Sequence, residues 1–120
     1  MQSSEFIKGY TEIVVCSLLY ERDDYIYSLV KRITECGGGE IRITNPSLLM
    51  VMKRLLEERK IKSYPGESRT GMDRRYYSLT EQGREYYLQN RGAYLGSLET
   101  LKNLIQGGSE HERQDRSIRP

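Results

Sequence analysis

Apolar residues return along the first part of the chain at helical intervals. Ile7, Tyr10, Val14 and Leu18, widened by Ile13 and Cys16, form a stripe from Phe6 to Tyr20 that predicts a first amphipathic helix. The charged run Glu21 to Asp24 interrupts it. Asp23 or Asp24 can accept from the free N–H groups that open a second helix, whose apolar set is Tyr25, Ile26, Leu29, Val30 and Ile33. Gly37 to Gly39 stop that helix. From Glu40 to Ile43 polar residues alternate with isoleucine, a period of two that predicts one short strand. Asn45 as N-cap and Pro46 at the first helical position then open a third helix. Leu48, Met52, Leu55 and Leu56, with Val51 beside them, share one face of it, and Ser47, Met50, Lys53, Arg54 and Glu57 the other.

Ile61 to Tyr64 and Arg75 to Leu79 read as two strands, and the glycine-containing stretch between them is long enough for a hairpin with an extended tip. Tyr77 and Leu79 point one way, Tyr76 and Ser78 the other. Thr80 caps a fourth helix that runs to about Gln106 through Gly83, Gly92 and Gly96, each of which weakens it by about 1 kcal/mol relative to alanine. The polar tail Gly107 to Pro120 predicts disorder.

Composition narrows the class. The 120 residues fit one small protein, with no apolar run long enough to span a membrane and no apolar stretch in the opening MQSSEFIKGYTE, so the expectation is a cytoplasmic chain. Cys16 and Cys36 stand apart from each other and from any histidine, which suggests neither a disulfide framework nor a zinc site. No cofactor is expected. A mean hydropathy of -0.70 leaves a core so small that a second copy is the usual way to complete it.

Charge becomes informative once it is located. Arg42 to Arg75 holds nine basic residues against four acidic ones, a local charge of +5 in a chain whose total is +2. Such segregation is the footprint of an anionic partner, with a merely solvated basic face as the alternative. Helix, helix, short strand, helix and hairpin is the element order of a winged helix-turn-helix, a mainly α fold with a small β-hairpin, in which the third helix enters the major groove of DNA. The hairpin tip is then the wing, whose Arg69, Arg74 and Arg75 neutralise phosphates, while Ser47, Met50, Lys53 and Arg54 of the third helix face the bases. The division that follows is a DNA-binding domain over 1–79, a C-terminal helix over 80–106 and a tail over 107–120.

The segments KGYTEIVVCSLL, DDYIYSLVKRI, KRLLEE and above all GESRTGMDRRYYSLTEQGREYY resemble the PadR family of bacterial transcriptional regulators, in its compact form with a single long C-terminal helix. The resemblance implies a homodimer on an inverted repeat in double-stranded DNA, repressing its own or a neighbouring promoter and relieved by a small aromatic or hydrophobic effector. It implies an effector cleft to which Phe6, Tyr10, Tyr86, Tyr87 and Tyr94 would contribute, with plain packing as the alternative role of these tyrosines. Three departures from the family pattern stand out: Asn45, Pro46 and Ser47 replace a glutamate, a glycine and a threonine; Leu49 and Met50 replace a tyrosine and a proline; and Arg59 replaces the usual turn glycine before the wing.

Tyr87, Tyr94, Leu98, Leu101 and Ile105 follow a spacing close to a coiled-coil seam, with Leu88, Leu95 and Leu104 alongside. Packing of this face on its own domain is the alternative, but a helix of that length spans about 39 Å, more than one small domain covers, so the seam predicts pairing with a second chain. An enzyme is the weakest alternative, since His111 lies in the tail and the glycines at 37–39 lack the lysine of a phosphate-binding loop. The stronger alternative is a dimeric winged-helix module that docks on protein and does not bind DNA, for which the altered third helix is the motive.

Overall fold

The computed structural model describes residues 10–67 and 74–107. Phe6, Arg69 and the tail from 108 onward therefore lie outside the described residues. Four helices and one hairpin follow in the order α1 (Thr11–Glu21), α2 (Ile26–Cys36), α3 (Asn45–Glu57), β1 (Ile61–Gly66), β2 (Arg74–Leu79) and α4 (Glu81–Gln106). The chain divides into two compact units, Met1–Gln89 and Asn90–Pro120, with the division inside α4.

In the first unit α1 is the central element. Val15 and Cys16 are wholly enclosed, and Leu18 and Leu19 join Leu29 and Ile33 of α2, Leu48, Met52 and Leu55 of α3, Ile61 of β1 and Tyr77 of β2 in one core. The helical spacing of those residues explains why three short helices fold here at all: none is stable alone, and each buries its stripe against the others. Truncating a wholly buried leucine such as Leu29, Leu48 or Leu55 would cost about 2–5 kcal/mol.

Two expectations shift in detail. Thr44, not Asn45, is the N-cap of α3: its Oγ1 accepts from the Ser47 N–H at 3.2 Å, so Asn45 is the first helical residue and Pro46 the second. Proline is still compatible there, because that N–H too would lack an intrahelical partner. The expected strand at 40–43 does not form; Ile41 makes a single bridge. The physical reason lies on either side of it. Gly38, at φ 65°, closes α2, with the Gly38 N–H on Glu35 O and the Gly39 N–H on Thr34 O, and Thr44 already caps the next helix, leaving too few residues for a ladder. The isoleucines keep their inward role all the same, with Ile43 buried and Ile41 packed on the core.

β1 and β2 are antiparallel, with Ser63 opposite Tyr77, Tyr64 opposite Tyr76 and Pro65 opposite Arg75. The hairpin is fastened to the helices by Asp24, which precedes α2 and exchanges two backbone hydrogen bonds with Tyr77, 3.1 and 2.8 Å. The Asp24 side chain is buried and, of the two aspartates expected to accept from a free N–H at the start of α2, is the one that does so. Its Oδ1 accepts from the Tyr25 N–H at 3.0 Å, while Oδ2 accepts from Ser28 Oγ and from Arg32 Nη1, both at 2.8 Å. Arg32 Nη2 donates onward to the Leu18 carbonyl at the end of α1, 3.1 Å. A buried carboxylate is tolerated only with its lone pairs filled and a counter-charge beside it, and Asp24 has both.

The start of α4 is docked on the turn between α3 and β1. Thr80 Oγ1 donates to the Arg59 carbonyl at 2.7 Å and accepts from the Gly83 N–H at 3.0 Å, which makes it the expected cap, and Gln82 Nε2 donates to the Glu58 carbonyl at 3.2 Å. A Cβ at Gly83 would run into the Lys60 carbonyl, so this glycine is what lets the helix lie so close. Within the second unit, α4 continues from Asn90 to Gln106 with Leu95, Leu98, Leu101, Leu104 and Ile105 exposed.

Candidate nucleic-acid interface

α3 turns Leu48, Val51, Met52 and Leu55 inward, which obliges the residues between them to face out. Met50 is 73% exposed and Leu49 46%. The Ser47 hydroxyl accepts from Thr44 Oγ1 at 2.9 Å and keeps its own hydrogen for a further acceptor. Lys53 is exposed one turn beyond Met50. Arg54 is exposed too, but its Nε donates to Glu12 Oε2 of α1 at 2.6 Å. Of the two cations expected to face a ligand, α3 thus presents Lys53 outward and ties Arg54 back to its own scaffold.

The wing shows a similar division. Arg75 is exposed on β2, opposite Pro65. Arg74 is half-buried, with its guanidinium 3.9 Å from the ring centroid of Tyr25. Tyr25 meets the edge of Tyr76 at 5.4 Å, and Tyr76 stacks on Tyr64 at 5.8 Å. The Tyr64 hydroxyl donates to Asp23 Oδ2 at 2.5 Å; that carboxylate favours the protonated phenol and pushes Tyr64 up to about 12. The tyrosine brace was only partly legible in the sequence: Tyr76 and Tyr77 alternate as expected, but the meeting of Tyr25 with Arg74 depends on where α2 begins. Tyr27, 69% exposed in the first turn of α2, is a further candidate that spacing alone did not single out.

The residues assigned to pairing and to an effector separate into two groups. Tyr87 packs on its own core, its ring 4.9 Å from that of Tyr20 and its hydroxyl 3.4 Å from Ser17 Oγ. Tyr86 also packs there, under Lys60 Nζ at 3.8 Å from the ring centroid. Tyr10 and Tyr94 are half-buried. By contrast Leu95, Leu98, Leu101 and Ile105 are all exposed, Ile105 to 80%.

Among the described residues no helix is long and apolar enough to cross a membrane, and no group of three or more His, Cys, Asp or Glu could hold a metal ion.

The chain is similar in structure to a transcriptional regulator from Clostridium thermocellum, at 29% identity and a TM-score of 0.75 over 85% of this chain and 99% of that one. It shares its fold with a PadR family transcription regulator from Clostridium difficile R20291, at 24% identity and a TM-score of 0.68 over 80% of this chain and 98% of that one. A protein of Lysinibacillus sphaericus is 29% identical over 86 residues, 72% of this chain and 79% of its own length. Residues 15–89 match the transcriptional regulator PadR-like family, a span that contains α2, α3, the wing and the start of α4. The winged helix, its arginine-bearing hairpin and the long helix that follows are thus those of a transcriptional regulator and not of an enzyme, and the chain belongs to the PadR-like family.

Proposed function

We propose that this chain is a cytoplasmic, dimeric, sequence-specific DNA-binding regulator that represses its own or a neighbouring promoter. Residues 1–79 carry the DNA contacts and 80–106 pair two copies. The observation that carries the reading is the division of the exposed face: α3 offers Ser47, Met50 and Lys53 at its outward surface, while Arg75 of β2 offers an unburied guanidinium suited to a phosphate. Pairing through Leu95, Leu98, Leu101 and Ile105 would repeat that face about one turn of DNA away and call for an inverted repeat.

The test is fluorescence anisotropy of the protein on its own upstream DNA and on a scrambled duplex, over a range of salt. Preferential, salt-sensitive binding to the upstream DNA is the expected result. Replacing Arg74 and Arg75 together with alanine weakens binding to every sequence and lowers the salt slope by about one per lost phosphate contact. An unchanged slope removes both from the list of phosphate ligands. Sedimentation of Leu98→Glu and Leu101→Glu variants tests the pairing, with monomers expected.

A second reading has its own observation. Leu49 and Met50, exposed at the start of α3, also suit a module that docks on protein and leaves DNA alone; absence of any binding at low salt favours it. Relief by a small aromatic effector is carried by the family resemblance, and is tested by adding phenolic compounds to the preformed DNA complex.

A further inference from the structure

Successive residues of an α-helix turn by about 100°. With Leu48, Val51, Met52 and Leu55 of α3 buried, the middle of the opposite arc falls to Pro46, Met50, Lys53 and Glu57. Met50 therefore stands at the centre of the outward surface, one turn from the start of the helix, with Leu49 exposed beside it. Nothing in the first two turns of that surface is charged: its residues are Asn45, Pro46, Ser47, Leu49 and Met50.

Met50 and Leu49 are the apolar part of this uncharged tip, beside the polar Asn45 and Ser47, and the neighbouring segments carry more exposed cations than the one carboxylate of the arc, Glu57. Arg42 is exposed ahead of α3, Lys53 follows on it, and Lys62 and Arg75 are exposed on the hairpin. An apolar centre on a helix whose neighbouring segments expose cations complements a surface that is anionic at its edges and carries methyl groups on its floor. The major groove has both where thymine occurs, with phosphates along its walls and the C5-methyl group projecting into it. A guanine or cytosine edge at the same place would be left with polar atoms facing a thioether, desolvated and poorly paired. An unbranched, polarizable methionine adapts to a methyl group where a branched side chain would need a fixed approach.

We propose that Met50, seconded by Leu49, reads a thymine methyl group in each half-site, and that these two apolar residues set the sequence preference of α3. Ser47 and Lys53 supply polar contacts at its margins. The inference rests on the reading of α3 as the helix that enters the groove.

The experiment uses the full chain and duplexes recovered by repeated selection from a randomised library. Each thymine is replaced singly with uracil, which removes one methyl group and leaves base pairing intact, and binding is followed by anisotropy. In wild type, at least one replacement per half-site weakens binding about fourfold, the worth of one buried methyl group. Met50→Ala binds thymine and uracil duplexes alike at that position and keeps the wild-type salt slope; Leu49→Ala loses part of the difference. Both side chains are exposed, so the core is untouched, and thermal melting monitored by circular dichroism confirms it. A Met50→Ala variant with the full thymine preference overturns the proposal, as does a wild type indifferent to every uracil while still binding DNA in a salt-dependent way. A wild type that binds no duplex at low salt overturns the DNA-binding reading beneath it.

Discussion

Arg74 on the wing and Tyr25 at the threshold of α2 are in face-on contact, the guanidinium 3.9 Å from the ring centroid. The contact favours one orientation of the guanidinium, so that in the proposed phosphate role it would lose less entropy on binding. Tyr25→Leu is expected to weaken binding two- to fivefold on all sequences, about the value of an exposed cation–π contact. Tyr25→Phe keeps a ring face and should behave like wild type. Anisotropy at one salt concentration separates the two, and equal affinities for the leucine and phenylalanine variants would show that the contact does not preorganise the wing.

Arg59 sits at φ 61°, in the left-handed region that favours glycine. Its N–H donates to Leu56 O at 3.0 Å and the Lys60 N–H to Leu55 O at 2.9 Å, the paired bonds that close α3. Arg59→Gly relieves the Cβ crowding and is expected to raise the unfolding free energy by up to about 1 kcal/mol, a gain trimmed by the greater freedom of glycine in the unfolded chain. Urea denaturation measures it. A lower midpoint would mean that the arginine side chain contributes more than its backbone conformation costs.

The helical glycines of α4 divide sharply. Gly83→Ala drives a methyl group against the Lys60 carbonyl and should cost several kcal/mol, with loss of the Thr80 and Gln82 hydrogen bonds to the same turn. Gly92 and Gly96 have nothing within 4 Å of an added Cβ. Alanine at either should stabilise the helix by about 1 kcal/mol, unless a partner chain needs the close approach. Thermal melts of the three single variants at several protein concentrations distinguish these cases.

Burial pushes the Cys16 thiol up to about 12, while the nearby Lys60 ammonium only partly offsets it. Cys36 is exposed. In the native protein at pH 8, iodoacetamide should alkylate Cys36 alone, and Cys16 should react only after denaturation. Mass spectrometry of the digested protein reads the outcome. Because the folded pKa lies above the unfolded value near 9, the thiol contributes stability that is intact below pH 9 and is lost as pH climbs from 9 towards 12.

Much of the fold was legible because it is written locally. The stripes of α2 and α3, the alternation of Tyr76 and Tyr77 and the Thr80 cap depend on residues within a turn or two of each other, whereas α1 buries Val15 and Leu19, which its expected stripe left out, and leaves Tyr10 and Val14 half-buried because the other elements pack around most of it. Arg54 and Lys53 are both exposed as expected, but the pairing of Arg54 with Glu12, which joins α3 to α1, gives no periodic signal and was not legible. Asp24 reads as an acceptor for the start of α2 and is one through Oδ1, but its second oxygen is taken by Ser28 and Arg32, a partnership across two turns that position alone did not show. The substitution of Arg59 for a turn glycine was visible through the family resemblance, and its left-handed backbone gives the physical reason glycine is usual there.

The single guanidinium of Arg32 touches the last turn of α1 through Leu18 and holds Asp24, whose backbone is stitched to Tyr77 of the hairpin. The three parts thus share one rivet. Leu18, Arg32, Asp24 and Tyr77 form a continuous chain of hydrogen bonds from the end of α1 to the hairpin, beside the packing that α1 also makes with α3. Removing that one guanidinium would therefore loosen the end of α1 and the seat of the hairpin together.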